Sequence, residues 1–402
     1  MSSRPATLTA PQPWFTEKVL MGQPWAEYRR GLFTPFNAVA AFVLAIGIPI
    51  IVYRFAAGLG ATTNLSQTNP WGIWIGFDML CGVALAAGGY TLATTVYIFG
   101  LDDYHPVVRP AVLTGFLGYV FAVLGLMCDL GRPWNLPIPM VYSFGTTSVM
   151  FEVGWCVMLY TIVLALEFSP ALFQWLGWQT LRTYLLRATI GLTVAAVMLS
   201  TLHQSSLGAL FLMAPTKLHP LWYSPFIPIF FFVSSIVAGL SMVIVESSLS
   251  HRAFQSRVDH HVDMDKLVLG LARAASVILF AYVFLRLQGL ADSGRTDLLA
   301  TPLGLWFIAE IVLFAAVPCL LFAHGARTRN ATLVRWTAGW SVLGIVVYRL
   351  NVSVVAYNWE AAERYIPSWM EVWTSLTLVT TGILVFRWIV NRMPVLRDES
   401  GH

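Results

Sequence analysis

The chain has 402 residues, of which 57% are hydrophobic and 11% charged, with a mean hydropathy of +0.69 and a formal net charge of +4. Soluble domains average roughly 45–50% apolar and 25% charged residues, so a soluble globular or disordered chain is excluded and a multi-pass membrane protein is indicated. The small net charge reflects topology and gives no reason to invoke nucleic acid as a partner.

Residues 1–35 carry Pro11, Pro13, Glu17, Lys18, Glu27, Arg29 and Arg30. They are too polar for a cleavable signal, which needs an apolar region of about 7–15 residues, so a retained cytoplasmic segment is expected. Loops marked by Pro, Gly, Asn or charge then divide residues 36–389 into ten apolar stretches. They cover 36–57, 72–99, 111–130, 149–166, 188–213, 224–247, 267–290, 302–323, 336–356 and 369–389. Each is near the roughly 20 residues that a helix needs to cross a hydrocarbon core about 30 Å thick. An all-α polytopic integral membrane protein is therefore expected, with a short tail at 390–402.

An even number of spans puts both termini on one side. Sixteen Lys and Arg residues fall on that side; Arg132, Lys217, Arg295 and Arg364 fall on the other, with Arg54 near its edge. Positive residues concentrate in cytoplasmic loops, so both termini are expected in the cytoplasm of a bacterial inner membrane.

A charge in hydrocarbon costs at least about 2.5–3.5 kcal/mol, so intramembrane polar residues need partners or a task. Asp78 lies six residues into the second span, about 9 Å deep at 1.5 Å per residue. Asp129 closes the third span, Glu152 opens the fourth, Glu310 lies early in the eighth and Arg349 late in the ninth. With His203 of the fifth span they all belong to the outer half. The inner half holds chiefly Arg273, Glu167 and Glu246, each near a helix end where snorkelling is open to it. Asp129 with Arg132, or Glu310 with Arg349, would serve as plain structural ion pairs. Asp78 is different, because Gly72, Gly76 and Gly82 around it let another helix or a flat ligand reach the backbone.

The fifth span contains Ser200-Thr201-Leu202-His203-Gln204-Ser205-Ser206, six hydrogen-bonding side chains in seven positions. Unsatisfied polar groups in lipid cost several kcal/mol each, so the run should face a polar cavity. Histidine there has the chemistry to bond a quinone carbonyl and exchange a proton with it. A haem between helices needs paired axial ligands, yet only His203 is properly intramembrane; Cys81, Cys128, Cys156 and Cys319 sit on separate spans without iron–sulfur spacing. No haem, cluster or metal is expected on this chain. The outer loop with Gly131-Arg132-Pro133-Trp134-Asn135-Leu136-Pro137 is stiffened by proline and overlies the outer cluster, where it would cap a pocket or receive a partner.

Several of these words carry a resemblance. Pro70-Trp71-Gly72-Ile73-Trp74-Ile75-Gly76-Phe77-Asp78, Tyr104-His105-Pro106-Val107-Val108-Arg109-Pro110, the Gly131–Pro137 stretch, Leu166-Glu167-Phe168-Ser169-Pro170, His203-Gln204-Ser205-Ser206-Leu207-Gly208 and Lys217-Leu218-His219-Pro220-Leu221-Trp222 resemble the NrfD/PsrC family of quinone-interacting membrane subunits, in its ten-helix HybB/DsrP-like branch. The resemblance implies two four-helix bundles, here about 72–213 and 224–356, with one flanking helix at each end. It also implies a cofactor-free subunit that docks a periplasmic ferredoxin-like iron–sulfur subunit beside a quinone pocket, with menaquinone or ubiquinone as substrate. The further redox partners would belong to a sulfur-metabolism complex of the DsrMKJOP kind or to a nickel–iron hydrogenase.

On that likeness the quinone site would draw on Trp71, Trp74, Asp78, Arg132, Trp134, Asn135, His203, Gln204 and Ser205, with Asp78, His203 and Glu152 moving protons. The Tyr, His and Asn pattern of polysulfide reductase pockets is not evident here. Two other readings stay open: a proton-translocating subunit or transporter using Glu310, Arg349, Glu246 and Arg273, and a plain membrane anchor of a redox complex.

Overall fold

The computed structural model describes residues 14–254 and 263–396. Residues 1–13 of the expected N-terminal segment, 255–262 of an inner loop and 397–402 of the tail lie outside the described residues. Among the described residues ten helices are long and apolar enough to cross a membrane: α1 Pro35–Ala57, α2 Trp74–Ile98, α3 Asp102–Asp129, α4 Val149–Leu176, α5 Gln179–Met213, α6 Ile227–Ala253, α7 Met264–Ser293, α8 Pro302–Arg327, α9 Ala331–Val355 and α10 Trp369–Arg392. No strand occurs among the described residues; the sole extended pairing is an isolated bridge between Leu218 and Tyr357. The chain is a multi-pass, all-α integral membrane protein.

Local chemistry sets the helix ends. Thr34, Ser148, Asp263, Thr301, Asn330 and Ser368 each place a side-chain oxygen on a free N–H of the first turn of the following helix. Ser368 and Glu371 form a reciprocal capping box at the start of α10. Gly177 and Gly294 close α4 and α7 in the left-handed conformation.

The fourth and fifth spans outrun their expected limits of 149–166 and 188–213, and the stretch near 167–187, which the sequence reads as an amphipathic loop, is helical except at Gly177 and Trp178. Pro170 does not end α4. The Leu166 carbonyl, which loses its N–H donor to that proline, accepts the Ser169 hydroxyl instead at 2.7 Å, so the backbone account stays closed.

Helices α2 to α5 pack in sequence, α6 to α9 do the same, and α6 closes on α9. The two groups meet where α6 lies against α2 and α5, and where α9 meets the start of α2. That seam is narrow because of glycine: a Cβ on Gly239 of α6 would fall 2.6 Å from the backbone nitrogen of Gly88 on α2. Helices α1 and α10 pair with each other and lie against α3.

The residues before α1 and after α10 share one face, termed terminal here. Arg392 donates to the Val19 carbonyl at 2.9 Å and to the Tyr28 hydroxyl at 2.6 Å. On the opposite, distal face three connections are tied together. Asn358 donates to the Thr68 carbonyl and its N–H to the Lys217 carbonyl, while Asn64 and Asn69 reach the carbonyls of Ile366 and Glu363.

Candidate functional site

The first eight residues of α2, Trp74–Cys81, are wound as π-helix, with an α-helical turn following from Gly82. π-Helical turns are rare and cluster at functional sites, because the extra residue per turn re-aims side chains. Here the turn carries Asp78. Its carboxylate is buried, 7% exposed, and accepts the Ser375 hydroxyl of α10 at 2.6 Å. Gly125 of α3 makes room, since a Cβ there would stand 2.6 Å from the Asp78 Cβ. Among the described residues no cation pairs with Asp78.

Beside it, at the distal end, lies a second carboxylate that the sequence reading passed over. Glu371 is fully buried and accepts from the Tyr365 hydroxyl at 2.5 Å and from the N–H groups of Asn64 and Ser368 at 3.0 and 2.8 Å. The Tyr365 oxygen in turn accepts the Ile73 N–H at 3.0 Å, and the Trp74 indole donates to the Glu371 carbonyl at 3.1 Å. Burial and the Glu371 carboxylate push the Tyr365 phenol well above its ordinary range, so it stays a donor. The signal for Glu371 was present as the spacing Ser368-x-x-Glu371, which marks a helix start.

Asp129 and Arg54 complete this end. Arg54 is buried and caps α3, donating to the Cys128 carbonyl at 2.6 Å and the Leu130 carbonyl at 2.5 Å. Asp129 lies within the electrostatic reach of both Arg54 and Glu371. The ion pair of Asp129 with Arg132 considered from sequence does not form, because Arg132 points out from the exposed distal loop.

His203 sits deeper. It is fully buried; Nδ1 bonds the Leu199 carbonyl at 2.7 Å and Nε2 meets the Tyr119 hydroxyl. Tyr119 and Tyr160 pack against its ring. Gln204 donates to the Val83 carbonyl of α2 at 3.1 Å, and Ser206 donates to Glu152 at 2.7 Å. The buried oxygens of Tyr160, Ser200 and Gln204 lack a hydrogen-bond partner here. The polar run of α5 therefore forms part of a buried polar cluster, and α3 relates it to the first site. Gly125 touches Asp78 and Tyr119 touches His203, six residues or about 9 Å apart along that helix.

The other expected site residues are distributed more widely. Trp71 stacks on Tyr357 of a distal connection at 5.3 Å, and Trp74 is buried. Trp134 is 70% exposed and Asn135 half-buried on the distal loop with Arg132, while Ser205 is half-buried on α5. Glu152 is exposed at the distal end of α4.

In the second group of helices Glu310 does not pair with Arg349. Arg286 of α7, not weighed in the sequence, reaches it at 3.1 Å, and the Glu310 carboxylate also accepts the Trp222 indole at 2.7 Å and the Asn351 amide at 2.5 Å. Four aromatic rings surround the Arg286 guanidinium within 6 Å. Arg349, fully buried, instead donates to the Phe231 carbonyl and the Ser234 hydroxyl at 2.9 and 3.1 Å and lies 3.6 Å over the Phe231 ring. Glu246 lines a separate small cavity with His251 and Pro106, and Arg273 is exposed on α7.

Among the described residues no group of three metal-ligating side chains is assembled. Both ring nitrogens of His203 are hydrogen-bonded, and among the described residues His105, His251 and His324 lie toward the terminal ends of their helices.

The family described as polysulphide reductase, NrfD, matches residues 61–359. A protein of Nitratidesulfovibrio vulgaris is 50% identical over 381 residues, 94% of this chain and 98% of its own length. The probable Ni/Fe-hydrogenase 2 b-type cytochrome subunit of Escherichia coli is 34% identical over 361 residues, 88% of this chain and 90% of its own. The menaquinone reductase integral membrane subunit of Nitratidesulfovibrio vulgaris is 26% identical over 379 residues, 87% of this chain and 88% of its own.

Proposed function

The chain belongs to the NrfD family, and from that premise we propose that it is the quinone-exchanging membrane subunit of a multisubunit redox complex. The observation that carries this reading is Asp78: a buried carboxylate on a π-helical turn, held by one serine hydroxyl and, among the described residues, by no cation. A carboxylate in hydrocarbon without a counter-charge is suited to take and release a proton, which is what quinone chemistry requires. Two electrons and two protons convert a quinone to its quinol. In this reading the quinone ring lies in the distal half near Asp78, with Trp71 and Trp74 at its edge and Arg132, Trp134 and Asn135 on the loop above.

Protons reach the ring through Asp78 and through the polar cluster that begins at His203 and includes Gln204, Ser205 and, by way of Ser206, Glu152. His203 Nδ1–H donates to the Leu199 carbonyl, which leaves Nε2 to accept the Tyr119 hydroxyl and holds the ring in one orientation. Electrons arrive from, or leave to, an iron–sulfur subunit seated on the distal face, whose connections are cross-tied into one surface. The distal face is periplasmic and the termini cytoplasmic in a bacterial inner membrane, as the excess of Lys and Arg on the terminal side favours. Support for menaquinone comes from the 26% identical menaquinone reductase subunit, and support for a hydrogenase partner from the 34% identical hydrogenase subunit; a sulfur-linked partner is the alternative. No step is assigned to haem.

The test is turnover in membranes of the complete complex. Asp78→Asn, which keeps size and the Ser375 contact, should lower quinone-coupled turnover at least about tenfold while artificial-dye activity and assembly stay normal. Wild-type quinone turnover in that variant would remove Asp78 from the reaction.

A further inference from the structure

A cavity of about 460 Å³ opens between α2, α5, α6 and α7, in the half of the membrane away from Asp78. Its walls include Thr94, Thr201, Phe232, Ala274 and Ile278, and Tyr90 lies at its inner end. The wall threonines are polar in name only. Thr91, Thr94, Thr95 and Thr201 each donate their hydroxyl to a carbonyl one turn earlier, at 2.6–2.8 Å, and so present methyl groups to the space.

Along α2 the cavity runs from Tyr90 to Phe99, nine residues or about 14 Å. That is close to one leaflet of a core roughly 30 Å thick. The mouth is rimmed by Phe99, 70% exposed, and by Tyr104, on which the charges of Arg273 and Lys266 both act. Lys266 is paired with Asp103 at 2.6 Å, whereas Arg273 is exposed and forms no ion pair among the described residues.

We propose that this crevice binds one acyl chain of an anionic phospholipid, whose phosphate lies at Arg273 by the terminal face. The depth fits one leaflet, the walls are mainly apolar, and Arg273 near Tyr104 supplies the cation that a lipid phosphate needs. A quinone ring fits less well, since it needs polar partners at two opposed carbonyls. At the closed end the Tyr90 hydroxyl lies near Thr91, Ser200 and Ser235, and the rest of the lining is mainly apolar.

The experiment is native mass spectrometry of the delipidated protein, titrated separately with phosphatidylglycerol, phosphatidylethanolamine and a short-chain menaquinone. Wild type should retain one phosphatidylglycerol in preference to the other two. Ala274→Phe, which fills the crevice, and Arg273→Gln, an exposed change that spares the core, should each reduce that retention at least tenfold. Equal retention in Arg273→Gln, preference for phosphatidylethanolamine, or menaquinone displacing the lipid would each overturn the proposal.

Discussion

At the scale of single residues, the most constrained groups are charges placed where water cannot reach them. Arg286 and Glu310 are 3% and 4% exposed in their side chains and pair at 3.1 Å, with Trp222, Asn351 and Tyr282 satisfying the remaining atoms. Removing one partner of such a pair strands the other, which costs about 3–5 kcal/mol, whereas replacing both by apolar groups is often neutral. Glu310→Gln should therefore lower the melting temperature in detergent sharply, and the Glu310→Gln, Arg286→Met double variant should recover part of the loss. A single variant that melts with wild type would show the pair to be dispensable. His219 gives a separate, pH-dependent test in the distal connections. Its Nδ1 accepts the Leu221 N–H at 3.3 Å between the rings of Trp222 and Trp359, and burial, helped by Arg295, lowers its pKa below the usual 6.5. The neutral ring thus contributes stability above about pH 6.5, and that contribution is lost as the pH falls toward the lower value of the folded state. Wild type should lose more melting temperature between about pH 7.5 and 5 than His219→Gln. Equal losses would mean that His219 plays no part.

At the scale of elements, helix existence was legible from hydropathy, and caps such as Thr34, Thr301 and Ser368 stood in the sequence as ordinary start signals. What periodicity could not show was continuation through proline. The segment after residue 166 reads as a polar, Pro-bearing connection, yet α4 runs to Leu176 because Ser169 supplies the hydrogen bond that Pro170 withholds from Leu166. Ser169→Ala should destabilise the protein by about 1–3 kcal/mol by leaving that carbonyl unsatisfied. Ser169→Ala with Pro170→Ala, which restores an N–H, should return most of the loss. If the single variant costs nothing, water serves the carbonyl instead. The π-helical turn at Trp74–Cys81 was equally illegible, although its residues were singled out: glycine spacing shows that a close approach is open, and only the backbone shows that Asp78 is turned toward α3 and α10.

At the scale of the whole molecule, the ten apolar spans made the all-α membrane architecture legible from hydropathy, since it follows from the cost of placing polar groups in lipid. The candidate site was legible in part. Asp78 and His203 stood out because a lone acid and a lone imidazole in apolar helices have few uses. Arg286 and Glu371 were not weighed as site residues because each lies near a span end, where a charge has an easy route to water in one dimension and none once neighbouring helices close over it. Pairing across helices is equally beyond a linear reading: Arg349 looked like the partner of Glu310, and the three-dimensional arrangement gave that place to Arg286. The account as a whole stands on a quinone ring held in the distal half between α2 and α3. The measurement that reaches this most directly is equilibrium binding of a fluorescent quinol-oxidation-site inhibitor to the complete purified complex, in wild type, Asp78→Asn and His203→Gln. Saturable binding to wild type, weakened at least about tenfold in Asp78→Asn with the complex intact, is the expected result. Binding of equal strength in Asp78→Asn and wild type, or none in either, would contradict it.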